Sequence, residues 1–258
     1  MSVLLVRLAG PLQSWGSASR FARRTTENVP TKSGVVGLLA AALGRSRQAD
    51  LTDLVALGFG VRADQPGTRL KDFQTARHLD TGKAMPVSER FYLADAVFVA
   101  GLESDDHRFL GELYEALLTP RFLPYLGRRS CPPSRPLDMG PPLRDTTLRE
   151  ALSGAPWQAS AWYRRQRTGR ASQGAEELAL HLDCPPSERP DHTLRDLPVS
   201  YDPRHRRYGL RGVRSEQVPP PVPVRGSGAP EHDPVAALAG AAPVERPAQH
   251  DQEPRKEP

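Results

Sequence analysis

The residues of this 258-residue chain best suited to chemistry are basic, and they come in short runs beside glycine, hydroxyl and aromatic side chains. Pro30-Thr31-Lys32-Ser33-Gly34 places a lysine, two hydroxyls and free backbone amides at the start of an apolar helical pattern. Helix N-termini hold phosphate because their N–H groups point outward and the helix dipole favours anions. The run lacks the upstream glycine of a P-loop, since Glu27 stands there, so a nucleoside triphosphatase is set aside. Phosphate contact and a plain helix cap both stay open. Leu126-Gly127-Arg128-Arg129-Ser130-Cys131 lies between prolines. Adjacent arginines suit phosphate because guanidinium is always charged and offers forked donors. Tyr125, just before them, has a ring that could stack on a base. The alternative is a surface loop over a buried tyrosine. Arg164-Arg165-Gln166-Arg167-Thr168-Gly169-Arg170 and Arg204-His205-Arg206-Arg207 are further basic runs, of a kind that solvated loops also carry.

Other chemistries fare worse. His181, Asp183, Cys184 and His192 match no zinc spacing, so no metal and no other cofactor is expected. Ser33 and Cys131 would need a positioned histidine to act as nucleophiles, and the sequence fixes none. No catalytic residue is assigned, and the chain is not expected to be an enzyme. For metal-independent RNA cleavage, His78 with Lys71 or Lys83 is the best set on offer. Exposed loop residues are the simpler reading of those three.

The elements that must position these residues follow from periodicity. Val3 to Leu8, ending at Gly10-Pro11, predicts a buried first strand. After Pro30-Thr31, apolar residues at 35, 36, 38, 39, 42 and 43 predict a helix, with Gly44 placed to cap its C-terminus. Leu57, Phe59 and Val61 predict a second strand. Residues 63–90 are polar and read as a long irregular excursion. Asp95 to Leu102 predicts a third strand, and Asp105 or Asp106 caps a helix faced by Leu110, Leu113, Tyr114, Leu117 and Leu118 that Pro120 stops. This order matches an α+β, ferredoxin-like (split βαβ) unit with an insert between its middle strands. A Pro- and Arg-rich loop spans 120–144 and a short helix lies near 146–152. Strand-like runs follow at 157–163, 177–182, 194–201 and 208–213, read as a smaller β-rich C-terminal subdomain. From Pro219 the chain is rich in Pro, Gly, Ala and acidic residues and is expected to be disordered. The expected boundaries are therefore 1–140, 141–218 and 219–258, with the insert at about 63–93.

Charge supports a polyanion partner. The formal net charge is +5, but residues 226–258 hold three basic and six acidic residues. The remainder carries 32 basic against 24 acidic. Residues 1–49 hold Arg7, Arg20, Arg23, Arg24, Lys32, Arg45 and Arg47 against Glu27 alone. A solvated arginine-rich surface is the alternative. Two cysteines argue for a reducing compartment and no disulfide framework. With no signal peptide and no run of about 20 apolar residues, the expected location is the cytoplasm, away from any membrane.

Several runs together resemble one family. They are Leu8-Ala9-Gly10-Pro11-Leu12-Gln13-Ser14-Trp15-Gly16, Pro30 to Leu39, Asp72-Phe73-Gln74-Thr75, Arg90-Phe91-Tyr92-Leu93-Ala94-Asp95-Ala96 and Pro120 to Pro132. The family is the CasD subunit (the fifth Cas family) of type I-E CRISPR Cascade complexes, in the repeat-associated mysterious protein superfamily. The resemblance covers roughly residues 1–140 well and 141–215 more loosely. It implies a ferredoxin-like domain with a β-hairpin thumb, which binds the 5′ handle of the CRISPR RNA and caps the backbone filament. It implies contact with the Cascade backbone subunit and the large subunit, and with target DNA only through the complex. Carried over by motif, Arg90 and Tyr125 are candidate handle contacts. Lys32, Ser33, Arg128, Arg129 and Ser130 are candidate phosphate contacts, and Gln13 and Trp15 are contacts or core. The insert is short for that family, and the acidic tail is not a feature of it. A metal-independent endoribonuclease is the alternative function.

Overall fold

The computed structural model describes residues 1–17, 23–168, 177–202 and 204–221. The expected tail therefore lies, from residue 222 on, outside the described residues. Strand β1 (Ser2–Ala9) is the predicted apolar run, buried along almost its whole length. It pairs antiparallel with β7 (Val97–Ser104), from Ser2↔Ser104 to Ala9↔Val97. On its other side β7 pairs antiparallel with β4 (Gly58–Gln65), and β1 carries the short β8 (Leu143–Arg144). Beyond β4 the same sheet continues through β9 (Leu178–Asp183), β11 (Arg207–Val218) and β10 (His192–Ser200). Among the described residues the seven-stranded order is β10-β11-β9-β4-β7-β1-β8. The strands of the second half extend the first sheet, and Met1–Val222 form one compact unit.

Side chains alternate across a strand, so one sheet serves two cores. Leu4, Val6 and Leu8 face helices α1 (Lys32–Ala42) and α3 (His107–Leu118), meeting Val35, Leu39, Leu110 and Leu113. Val3 and Leu5 face the other way, onto Leu148 and Leu152 of α4 (Leu148–Gly154). The caps follow the sequence. Thr31 Oγ1 accepts from Gly34 N–H, Asp106 from Phe109 N–H, and Thr147 forms a reciprocal capping box with Glu150. Gly44 follows the α1 C-cap with φ +74°, the left-handed conformation that ends many helices. The short α2 (Thr52–Ala56) leads into β4.

Two local expectations are corrected. Residues 63–90 are not irregular throughout. β4 runs on to Gln65, and β5 (Thr68–Gln74) pairs antiparallel with β6 (Ser88–Ala94) from Thr68↔Ala94 to Gln74↔Ser88. Every residue of β5 is exposed, so no hydrophobic alternation marks it, and its partner strand supplies the order. Residues 157–163 are not a strand either; α5 (Ala161–Thr168) begins within them. The β-preference of Trp and Tyr yields to Ser160, whose carbonyl accepts from Arg164 N–H. Two short strands, β2 (Leu12–Gln13) and β3 (Arg23–Arg24), pair with β6 and complete a second, four-stranded sheet among the described residues.

One buried ion pair holds α4 against β4. Arg62 and Asp64 are both fully buried, and Arg62 Nε and Nη2 reach the two Asp64 oxygens at 2.6 and 3.0 Å. Arg62 Nη1 donates to the Leu152 and Ala155 carbonyls at 2.5 and 2.7 Å, and Nη2 to Pro156 at 3.0 Å. Every guanidinium N–H thus has an acceptor, and two of the carbonyls belong to the end of α4. Burial holds the Asp64 carboxyl above its ordinary range even beside this cation. Asp64→Ala would strand a buried guanidinium and is expected to cost about 3–5 kcal/mol. Urea midpoints measure it; a loss below about 1 kcal/mol would contradict this role.

Candidate nucleic-acid interface

The N-terminal motif builds a platform. Gln13 and Trp15 are both fully buried. Gln13 Nε2 donates to the Leu8 and Ala96 carbonyls, and its Oε1 accepts from Trp15 Nε1 at 3.1 Å. Of the two readings left open, contact or core, the structure places both side chains in the core, with their polar atoms used inside. The Trp15 ring lies against α1 where Gly34 leaves room; a Cβ there would come within 2.7 Å of it. The loop 125–131 is laid over the same platform. Ser14 N–H donates to Leu126 O at 3.1 Å, and Leu126 N–H to Cys131 O at 2.7 Å. Gly127 has φ +83°, and any Cβ there would overlap the Ser14 carbonyl oxygen. The glycine thus lets the two arginines that follow stand where they do.

The first of them, Arg128, meets the second sheet. The Arg128 guanidinium lies 4.8 Å from the Tyr92 ring centroid, and its Nη2 donates to Arg24 O at 2.9 Å. Arg90 is two residues from Tyr92 on β6 and so shares its face, with Arg24 beside it in register. Arg90 Nε and Arg128 Nη1 are buried yet have no hydrogen-bond partner among the described residues. Asp72 stands opposite Arg90 on β5, but its Oδ1 accepts from Phe73 N–H at 2.8 Å. Buried charged donors left without acceptors are costly, so their presence together needs an explanation. On the opposite face the charges are matched. Glu89 takes Lys71 at 2.7 Å and lies 3.9 Å from Arg23, and Lys71 holds the Glu89 carboxyl below its usual range. Arg129 and Ser130 are exposed at the loop tip. Tyr125 is half-buried and close to Tyr201, whose phenol is pushed well above its ordinary range by burial and then by Tyr208 and Tyr125.

The start of α1 is a different matter. Lys32 is buried; its Nζ donates to Leu57 O at 2.7 Å and pairs with Asp183 at 3.0 Å. Its backbone N–H donates to Asp196 Oδ2 at 2.8 Å. Arg211 joins both carboxylates at 2.7 Å. Ser33 is buried with Thr31 as its hydroxyl partner, and Tyr201 donates to the Ser33 carbonyl. The anion place that the sequence offers to phosphate is filled by Asp196 of the chain itself. Lys32 and Ser33 both face inward, with their side chains engaged by the chain itself.

The remaining candidate sets do not gather. Asp183 is engaged by Lys32 and Arg211, His181 Nδ1 meets Ser215 Oγ at 3.0 Å, and burial lowers the His181 pKa. Among the described residues no group of His, Cys, Asp or Glu is arranged to hold a metal. Burial pushes the Cys131 thiol up, away from nucleophilic character. Lys71 is turned to Glu89, and His78 Nδ1 accepts from Asp80 and Thr81 N–H in its own turn. Arg24 and Tyr92 were not singled out from sequence as site residues, although Arg24 stood in the basic N-terminal stretch and Tyr92 in the Arg90-Phe91-Tyr92 run.

The chain is similar to proteins of one family. The family described as CRISPR-associated protein (Cas_Cas5) matches residues 3–214. The Escherichia coli (strain K12) CRISPR system Cascade subunit CasD is 39% identical over 160 residues, covering 54% of this chain and 70% of that protein. A crystal structure of a Cas protein is 40% identical with a TM-score of 0.65, covering 86% of this chain and 99% of that one. A chain of a CRISPR RNA-guided surveillance complex is 30% identical with a TM-score of 0.67, covering 85% and 91%.

The inward and outward basic residues should separate in experiment. Lys32→Met is expected to lower stability by roughly 1–3 kcal/mol, since it removes one cation from a buried network, and to leave affinity for single-stranded RNA within about twofold. Arg128→Gln should do the reverse. Melting curves and filter binding measure both; RNA affinity lost in a fully stable Lys32→Met protein would contradict the assignment.

Proposed function

The chain belongs to the CRISPR-associated Cas5 family, and on that premise we propose that it is the CasD-type, non-catalytic subunit of a Cascade surveillance complex, binding the 5′ handle of the CRISPR RNA and capping the backbone filament. The observation that carries the reading is the pair of buried, unpartnered guanidinium nitrogens on Arg90 and Arg128 beside Tyr92. Two guanidinium donors held at one face suit the phosphates of a single strand. Arg129 and Ser130 extend that contact at the loop tip, and Tyr125 offers a ring at its edge. Bases splayed from a single strand are read by such surfaces rather than by helical grooves.

The antiparallel order β8-β1-β7-β4, with α1 and α3 on one face, supports reading residues 1–140 as a ferredoxin-like domain. We take the β5–β6 hairpin as the thumb inserted at about 63–93, and residues 141–218 as the smaller C-terminal part. The partners assigned are the backbone subunit, the large subunit and, through the complex, target DNA. The place of action is the cytoplasm.

Arg90→Ala, Arg128→Gln and Tyr125→Ala should each weaken binding of a handle oligoribonucleotide. The salt dependence should fall by roughly 0.7 for each phosphate contact removed. Unchanged affinity in all three would sink the assignment. Repeat RNA incubated with the protein and EDTA should stay intact. A single specific cut would transfer the role to an endoribonuclease working with His78 and Lys71 or Lys83.

A further inference from the structure

The two faces of the β5–β6 hairpin treat their charges differently. Residues directly opposite each other in an antiparallel pair share a face. Lys71 and Phe73 of β5 therefore lie with Phe91 and Glu89 of β6, and Leu70, Asp72 and Gln74 lie with Tyr92, Arg90 and Ser88. On the first face acid meets base, since Glu89 is 2.7 Å from Lys71 and 3.9 Å from Arg23. On the second face Asp72 stands directly opposite Arg90, and opposite charges so placed ordinarily gain by meeting. Here they do not meet. Arg90 Nε is buried without a partner among the described residues. Asp72 Oδ1 accepts from the N–H of its own neighbour Phe73 at 2.8 Å, and the side chain is exposed. Gln74, also exposed, follows on the same face.

A phosphate accounts for only half of this arrangement. Arg90 and Arg128 suit phosphate oxygens, but an ionised carboxylate offers acceptors alone and repels a phosphate. In a nucleic acid the donors that a carboxylate can take are chiefly the N–H groups of a base edge. Phosphate contacts fix the register of a strand, whereas contacts to base edges specify its sequence. An acceptor and a donor standing side by side, neither used by the other, are suited to a base edge that shows both. Among the four bases, guanine presents two adjacent donors, N1–H and N2–H, next to an acceptor, O6. Two adjacent donors match the two oxygens of a carboxylate, and Oδ1 keeps a lone pair after accepting from Phe73. That edge is open only where the base is unpaired.

We propose that Asp72 is a specificity-determining residue of this face, accepting from N1–H and N2–H of one unpaired guanine whose O6 is turned to Arg90. With five N–H donors, Arg90 can serve O6 and a phosphate at once. The inference rests on the reading of the Arg90–Arg128 face as a surface for single-stranded RNA, and adds to it the base that the face selects.

The test uses the full chain and filter binding with three oligoribonucleotides of uridine that carry guanosine, inosine or adenosine at every third position. The parent protein should favour the guanosine oligomer over the adenosine oligomer by about fivefold or more, the worth of one bidentate pair. Inosine lacks the N2 amine and should fall between them. Asp72→Asn should abolish the preference and leave binding of the adenosine oligomer no weaker, since it removes a negative charge from a surface for a polyanion. Its melting temperature should stay unchanged, because the side chain is exposed. Equal affinity of the parent for the guanosine and adenosine oligomers would overturn the proposal, and so would a preference that survives in Asp72→Asn. A requirement for ribose over deoxyribose with no preference among bases would overturn it in favour of a 2′-hydroxyl contact. Arg90→Ala and Arg128→Gln should weaken all three oligomers. If they do so while the parent shows no base preference, this inference fails and the RNA face stands. If the parent binds none of the oligomers, both fail.

Discussion

Four charges at the start of α1, three of them buried and Asp183 partly so, organise the molecule. Lys32, Asp183, Arg211 and Asp196 form a chain of two cations and two carboxylates, joined by the α1 N–H that donates to Asp196. They come from α1, β9, β11 and β10, so the network fastens the C-terminal strands to the first helix. The Arg211 guanidinium also lies 5.3 Å from the Phe59 ring, which brings β4 into the same contact. Charges buried in this way are tolerable only when each is matched and hydrogen-bonded, and here they are.

That network also decides where an outside anion can bind. With Asp196 seated on the α1 N-terminus, the lysine–serine–glycine motif has an internal partner. The arginines divide in the same way. Arg62 uses every donor on the protein itself, and Arg211 is held between two carboxylates. Arg90 and Arg128 each keep a buried nitrogen without an acceptor among the described residues. Arg62 is saturated and Arg211 is paired with two carboxylates, whereas the candidate binding arginines each keep an unpartnered nitrogen among the described residues. Trp15 links the two regions, because its ring packs on Gly34 of α1 while the residues beside it carry the 125–131 loop.

Much of the first half was legible from periodicity and caps. The strand at 2–9, the helix opened by Thr31, the helix capped by Asp106 and the Arg-rich loop after Pro120 all stand where the pattern places them. The hairpin was harder to read, because β5 is solvated along its length and shows no apolar alternation. So was α5, whose aromatic residues favour strands until Ser160 and Gln65 impose a helix. The inward turn of Lys32 could not be read locally, since its carboxylate partners lie more than 150 residues away in sequence. Periodicity names elements but not their neighbours. For the same reason the second-half strands could be read as a smaller β-rich part, but not as a continuation of the first sheet.

The central claim is that the protein holds one common single-stranded segment of guide RNA at the Arg90–Arg128 face. The most direct measurement is to purify the tagged chain from its native host at moderate salt and sequence the RNA that accompanies it. The account predicts CRISPR RNAs that share one 5′ segment, recovered together with the other subunits of a surveillance complex. Protein recovered intact, without RNA and without partners, would contradict it.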